Sequence, residues 1–166
     1  MPLPFPAGVP TSLGAAFGHL YSVEDPRIED LKLMVLLESA GKTLYEQSAT
    51  GTDHPGVIDL LHHNGREELA HAHRVSKAIK AISGEDYLPP EPANNPYLTA
   101  NMPPPAPLTP EGLIKLAETE FGGDALYEKW AAATDCAEAA ALFRQNGKEE
   151  SDHGNRLLEA AALLTA

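Results

Sequence analysis

One charged helical turn occurs twice in this sequence. The stretch "NGREELAHAHR" runs from Asn64 to Arg74, and "NGKEESDHGNR" runs from Asn146 to Arg156. Both contain Glu-x-x-His, and residues three apart on a helix share one face. Each copy can therefore present a carboxylate and an imidazole together, which is ligand chemistry for a transition metal. The two pairs are Glu68 with His71 and Glu150 with His153.

The repetition extends well beyond these turns. An offset of 82 residues aligns residues 26–74 with 108–156, and 17 of the 49 aligned positions are identical. Chance similarity between two helical segments would favour Ala and Leu, but the shared residues include Glu, Gly, Tyr and His. The sequence therefore predicts a duplicated helical hairpin whose halves are related by a pseudo-twofold axis.

A further carboxylate precedes each Glu-x-x-His at a matching distance from the turn. Glu38 lies 13 residues before Gly51, and Glu68 lies 15 after Asp53. At a rise of ~1.5 Å per residue the two side chains lie level on neighbouring helices. A single Glu-x-x-His is usually a solvated helix face, but four level carboxylates inside a bundle would repel one another strongly. A dinuclear cation site removes that cost, and its predicted ligands are Glu38, Glu68, His71, Glu120, Glu150 and His153.

The elements that hold these residues are predicted to be four helices in one domain, residues 1–166. Residues 1–24 read as an irregular arm, 25–83 as hairpin 1, 84–108 as a proline-rich crossover unsuited to helix, and 109–166 as hairpin 2. Predicted N-caps are Asp25, Asp53, Thr109 and Asp135, and Gly84 is a predicted stop. The fold class is thus all-α, a four-helix bundle of two hairpins joined by a long crossover.

Composition narrows the partners and the compartment. Twelve Lys and Arg against 24 Asp and Glu give a net charge of −12, which disfavours nucleic acids and anionic membranes. The single cysteine, Cys136, cannot form an internal disulfide or a cysteine-based metal site. The first 22 residues lack the features of a signal peptide, and no apolar run is long enough to span a bilayer. We therefore expect a cytoplasmic protein.

The pattern of Glu and Glu-x-x-His resembles the ferritin-like di-iron carboxylate proteins, especially their rubrerythrin and bacterioferritin branches. In that family one Glu comes from each of two helices and a Glu-x-x-His from each of the other two. The resemblance covers all four helices. It implies terminal ligands at Glu38, Glu120, His71 and His153, and bridging ligands at Glu68 and Glu150. Four oxygen and two nitrogen ligands suit two iron ions, with manganese as the alternative.

Other repeated residues are candidates to support the ligands. Glu67 and Glu149 precede the bridging glutamates, where related proteins often place an acceptor for a ligand histidine across the site. Tyr45 and Tyr127 lie two turns beyond Glu38 and Glu120, where each could donate to a bridging carboxylate or supply an electron. The alternatives are an exposed charge for each glutamate and an ordinary core position for each tyrosine. Glycines at 41, 65, 123 and 147 predict close helix approach or room beside the metals, or a helix bulge at 64–65.

The resemblance implies a di-iron oxidoreductase, a rubrerythrin-like peroxidase or ferroxidase that reduces H2O2 or O2. Electrons would come from an external donor, because one cysteine cannot build a rubredoxin module. Gly123 stands where rubrerythrins carry a further Glu, which argues against a ligand switch. The chain ends at Ala166 without a short fifth helix, so a homodimer is expected rather than a storage cage. Three alternatives stay open: an oxygenase acting on an organic substrate, a dimanganese catalase, and a non-enzymatic iron-binding protein.

Overall fold

The structure is a computed structural model that describes residues 1–102 and 104–165; of Asn101 only the backbone is described. Within these residues six α-helices and one 3₁₀ turn are present and there is no strand. The elements are α1 (Leu13–Ser22), α2 (Ile28–Ala49), α3 (Pro55–Ser83), a 3₁₀ turn (Pro92–Asn94), α4 (Pro96–Asn101), α5 (Pro110–Ala133) and α6 (Ala137–Leu163).

Four long helices form the bundle that the sequence predicts. Helix α2 packs against α3, α5 packs against α6, and the two hairpins meet where α3 packs against α6. In the described part of the chain no comparable interface joins α2 to α5. The prediction of an all-α, ferritin-like bundle is therefore confirmed. Helices α3 and α6 form the interface between the two hairpins.

The arm and the crossover are more ordered than the sequence predicts. The prediction of an irregular arm over residues 1–24 is wrong, because Leu13–Ser22 forms α1, whose Ala16 and Leu20 are buried. The crossover also contains a short helix, α4, despite its prolines. Pro96 stands at the first helical position, where a missing N–H costs nothing, and the Asn95 side chain accepts the Tyr97 N–H.

Three of the four predicted N-caps are displaced by one or two residues. Arg27, His54 and Cys136 occupy the caps of α2, α3 and α6. His54 takes the role that Asp53 was expected to have, since its ring accepts the Val57 N–H. The caps at Thr109 and Gly84 are confirmed: the Thr109 hydroxyl accepts the Gly112 N–H, and Gly84 adopts φ 77°.

The polar ligand residues lie between two apolar clusters. One contains Leu36, Val75, Tyr127 and Phe143, and the other contains Leu61, Leu113 and Leu157. This arrangement keeps water from both ends of the ligand set. Across the described residues no helix has the length and apolarity that a transmembrane span requires.

Asp30 ties the start of α2 to α1. Its carboxylate accepts from the backbone N–H and guanidinium of Arg27 and from the ring of His19 on α1, with the shortest contacts at 2.8 Å. Burial opposes ionisation of Asp30, but the hydrogen bonds from Arg27 and His19 outweigh it and lower the pKa of Asp30 to about 2. The ionised carboxylate therefore stabilises the junction that places α1 on the bundle.

Replacing Asp30 with Asn should lower the free energy of unfolding by about 1–3 kcal/mol near neutral pH, because charge-assisted hydrogen bonds are lost. Since the folded-state pKa is depressed, this stabilisation is present above the ordinary value of 3.8 and is lost as pH falls through about 2. Urea denaturation over that range measures it, with the exposed Asp59→Asn on α3 as control. Equal stability of D30N and D59N near neutral pH would contradict the account.

Candidate metal centre

The six predicted ligand residues come together in the middle of the bundle. Two overlapping groups of four residues have ligand atoms that all lie within 4.8 Å of one another: Glu38, Glu68, His71 and Glu150 form one, and Glu68, Glu120, Glu150 and His153 form the other. Glu68 and Glu150 belong to both groups. This sharing is the arrangement expected of two adjacent cation positions bridged by two carboxylates.

Each histidine is oriented by a glutamate from the opposite hairpin. The Nε2 atom of His71 lies 3.0 Å from Glu149 Oε2, and that of His153 lies 3.1 Å from Glu67 Oε2. With Nε2–H donating outward, Nδ1 of each ring faces the carboxylate cluster and carries the lone pair when the ring is neutral. The rings are fully buried and stacked with their centroids 5.0 Å apart. The two outer glutamates thus select the tautomer that a metal ligand needs.

An Arg and an Asn, both repeated, complete the hydrogen-bond network around each ligand histidine. The sequence analysis did not predict this role. Arg74 binds both oxygens of Glu149, at 2.6 and 3.1 Å, and donates to Asn146 Oδ1 at 3.1 Å. The Asn146 amide donates in turn to the backbone carbonyl of His71 at 3.2 Å. Hydrogen bonds across the α3–α6 interface therefore fix the imidazole of His71, its backbone carbonyl and the carboxylate that accepts from the imidazole.

The second half of the site repeats this network. Arg156 donates to Glu67 at 2.7 Å and to Asn64 at 2.8 Å, and the Asn64 amide donates to the His153 carbonyl at 3.3 Å. The signal was present in the sequence, because Asn64/Asn146 and Arg74/Arg156 are among the identical repeated positions. An Asn and an Arg that recur together at the same offset as the ligands could have identified these supporting residues.

The donor set fits a pair of metal ions. Among the described residues, buried side-chain polar atoms without a hydrogen-bond partner include His71 Nδ1, His153 Nδ1 and Glu150 Oε2. Each histidine Nδ1 lies near carboxylate oxygens, His71 at 3.2 Å from Glu150 and His153 at 3.3 Å from Glu68, without hydrogen-bond geometry. Buried polar atoms are almost always satisfied. Orphaned atoms that converge from different helices indicate cation ligands.

Without a cation the glutamates cannot all ionise. Burial, followed by the charges of Glu38 and Glu150, raises the pKa of Glu68 well above its ordinary value. Burial and the nearby Glu150 do the same to the pKa of Glu120. Burial also disfavours the charged form of His71, but its carboxylate neighbours, Glu149 first, hold the pKa of its ring well above normal. Protons therefore occupy the site wherever a cation does not.

The outer glutamates behave in the opposite way. Burial acts against ionisation of Glu149, but hydrogen bonds from His71 and Arg74 lower its pKa to about 2. Burial likewise opposes ionisation of Glu67, and Arg156 lowers its pKa. Both acceptors are therefore permanently negative at neutral pH, which favours the Nε2–H form of each ligand histidine.

The two tyrosines donate to terminal carboxylates rather than to the bridging ones. Tyr45 donates to Glu120 and Tyr127 donates to Glu38, each across to the other hairpin. The expected donation to Glu68 or Glu150 is wrong, because each phenol donates instead to the terminal carboxylate of the opposite hairpin. Burial and adjacent carboxylates raise the pKa of both phenols well above 10, so each keeps its proton.

The four repeated glycines serve two different purposes. A Cβ at Gly41 would lie 2.9 Å from Glu68 Oε2, and one at Gly123 would lie 3.1 Å from Glu150 Cγ. These two glycines leave room for the bridging glutamates. Gly65 and Gly147 instead permit close helix packing, since a Cβ at either would lie 3.2 Å from a tyrosine Cβ. Helices α3 and α6 stay α-helical through both positions, so no bulge forms.

A cavity of about 220 Å³ separates α2 from α5 and reaches the carboxylates. All four ligand glutamates line it, and neither ligand histidine does. Its other walls are largely apolar and are built from corresponding positions of the two halves, among them Met34/Leu116, Leu37/Thr119 and Leu44/Leu126. The space therefore lies between matching positions of the two hairpins.

Two facing hairpins with a shared carboxylate–histidine site define a ferritin-like carboxylate protein. Residues 29–161 match the family model described as Rubrerythrin, and the chain belongs to the rubrerythrin family. No curated protein and no solved structure matches the sequence significantly. The family match spans all four long helices and every proposed ligand.

Replacing Glu149 with Gln should weaken binding of Fe²⁺ or Mn²⁺ by about 10–100-fold, because the acceptor that orients His71 loses its charge. Anaerobic metal titration of the purified protein measures the affinity. The exposed Glu138→Gln, on the same helix, removes the same charge away from the site and should leave the affinity unchanged. Equal loss in both variants would attribute the effect to overall charge and contradict the role of Glu149.

Metal should raise the melting temperature more at higher pH. In the metal-free protein the raised pKa values of Glu68, Glu120 and His71 mean that the folded state holds more protons than the unfolded state. Stability of that form therefore falls as pH rises above the ordinary pKa values, and bound cations remove this loss. Calorimetry with and without Fe²⁺, from about pH 5 to about pH 8, should show a widening gap; a constant gap would contradict it.

Proposed function

We propose that the protein is a di-iron oxidoreductase that reduces the O–O bond of a peroxide or of dioxygen. The observation that carries this proposal is the pair of overlapping ligand groups that share Glu68 and Glu150. One isolated cation site would need only one such group. Two groups with common carboxylates hold two ions close enough to act on one small molecule together.

The donor atoms support iron as the metal. Four carboxylates and two imidazoles form a mixed oxygen–nitrogen set without thiolates, which suits iron or manganese better than copper or structural zinc. Iron bound there would supply two electrons jointly to an O–O bond. Rubrerythrin family membership supports the same choice.

The protein's own residues would hold and position the reacting groups. Glu68 and Glu150 would hold both ions, while the Glu–His–Arg–Asn networks fix the imidazoles. Tyr127 keeps a proton at Glu38, and Tyr45 keeps one at Glu120. The apolar clusters exclude bulk water at the two ends of the ligand set, and the cavity gives access from the side of α2 and α5. An external donor would then restore the electrons that the reaction consumes.

Anaerobic loading with Fe²⁺ followed by rapid mixing with H2O2 or O2 tests the proposal. We expect about two Fe per chain and fast formation of a ferric absorption band. The double variant Glu68→Ala plus Glu150→Ala should lose both metal and reaction, because each residue belongs to both ligand groups. Glu118→Ala plus Glu159→Ala removes two exposed glutamates and should behave like the unaltered protein.

Two results would contradict the proposal. Failure to retain iron after reconstitution would remove the metal site itself. Retention of two iron ions that neither oxidant changes rapidly would instead favour a non-enzymatic iron-binding protein. Native protein that contains manganese and releases O2 from H2O2 would favour the dimanganese catalase.

A further inference from the structure

We infer that the cavity between α2 and α5 binds an aliphatic organic hydroperoxide, with its chain in the apolar part and its O–O end at the ligand carboxylates. This inference rests on the proposed function and names its substrate class. It follows from the size of the cavity, the chemistry of its walls and its position on the ligand side of the bundle.

The volume is too large for hydrogen peroxide alone. At roughly 30 Å³ for each water-sized unit, about 220 Å³ accommodates on the order of seven such units. Hydrogen peroxide fills about two. A molecule with a chain of about six carbon atoms fills the space and would cover its apolar walls.

The cavity lining has an apolar part and a polar part, which suit the two ends of the proposed ligand. Leu37, Leu44, Leu116 and Leu126 offer only apolar surface, which gains free energy by covering a hydrocarbon and offers nothing to hydrogen peroxide. Most of the polar lining comes from the four ligand glutamates with Tyr45 and Tyr127, and Ser48 and Thr119 add a hydroxyl each. A substrate with one polar end and one apolar chain matches this division.

Helix α1 gives the cavity a rim that the internal symmetry does not supply. Phe17, Leu20 and Tyr21 line it from one side. The 82-residue offset makes α4 the counterpart of α1, but none of the described residues of α4 lines the cavity. The Tyr21 hydroxyl donates to the Thr119 carbonyl at 3.1 Å, which ties α1 across the gap to α5. Phe17 and Tyr21 are partly exposed, so they border both cavity and solvent.

The proposed reaction balances as ROOH + 2 H⁺ + 2 e⁻ → ROH + H2O. The O–O bond breaks, and one oxygen leaves as the alcohol and the other as water. Two ferrous ions held by the ligand residues would supply the two electrons, and the external donor would restore them. An aliphatic hydroperoxide is thus the class of molecule that both carries an O–O bond and fits the apolar walls.

A cavity-filling variant tests the inference with two readouts. Leu116→Trp places a large ring in the cavity, whereas Ile114→Trp places it on the exposed face of the same helix. The first readout is the ratio of kcat/KM for n-hexyl hydroperoxide to kcat/KM for H2O2. We expect a ratio above one, lowered by about tenfold or more in L116W and unchanged in I114W.

The second readout is calorimetric binding of n-hexanol, the product alcohol, to the metal-free protein. Hexanol should bind the unaltered protein and I114W, and its affinity should fall about tenfold or more in L116W. If L116W fails to fold, Leu44→Phe on the opposite wall fills less space and should weaken hexanol binding in the same direction.

The outcomes separate this inference from the proposed function. A kcat/KM ratio near or below one would overturn the cavity assignment, and H2O2 reduction would still stand. The same conclusion would follow if the filling variants changed neither the ratio nor the affinity for hexanol. Loss of all peroxide reduction, with hexanol still bound in the cavity, would overturn the proposed function and the hydroperoxide as substrate.

Discussion

The confinement of four carboxylates and two imidazoles between apolar clusters is the constraint on which the rest of the structure depends. Buried like charges a few ångströms apart cost more free energy than any nearby packing can offset. The bundle can hold them in two ways: by keeping protons on Glu68 and Glu120, or by exchanging those protons for cations. The surrounding structure favours the second, because it leaves the histidine Nδ1 atoms without hydrogen-bond partners and aimed at the cluster.

Support for the cluster is concentrated where the two hairpins meet. Each ligand histidine on α3 or α6 is held by a Glu, an Arg and an Asn, and every such network crosses the α3–α6 interface. The side of the cluster toward α2 and α5 is different, because there the helices stand apart and the carboxylates line a cavity. Hydrogen bonds thus fix the α3–α6 side of the site, and the α2–α5 side opens into the cavity.

Sequence alone predicted the elements whose signals are periodic or duplicated. The 82-residue repeat indicated both hairpins and placed Glu38, Glu68 and His71 near their counterparts. It could not show that Arg74 reaches Glu149 or that Tyr127 reaches Glu38, since these contacts depend on how the hairpins are offset. Helix α1 was not predicted because prolines precede it and because ten residues are too few to show a clear apolar face. The cavity was not predicted because it forms where α2 and α5 do not pack closely, and a sequence pattern does not record missing contacts.

The most direct test of the central claim is anomalous diffraction at the iron edge from crystals of the iron-loaded protein. The account predicts two peaks per chain, each beside both Glu68 and Glu150, with one also beside His71 and the other beside His153. A single peak, or peaks only at exposed residues such as His63 and His73, would contradict a dinuclear centre in this bundle.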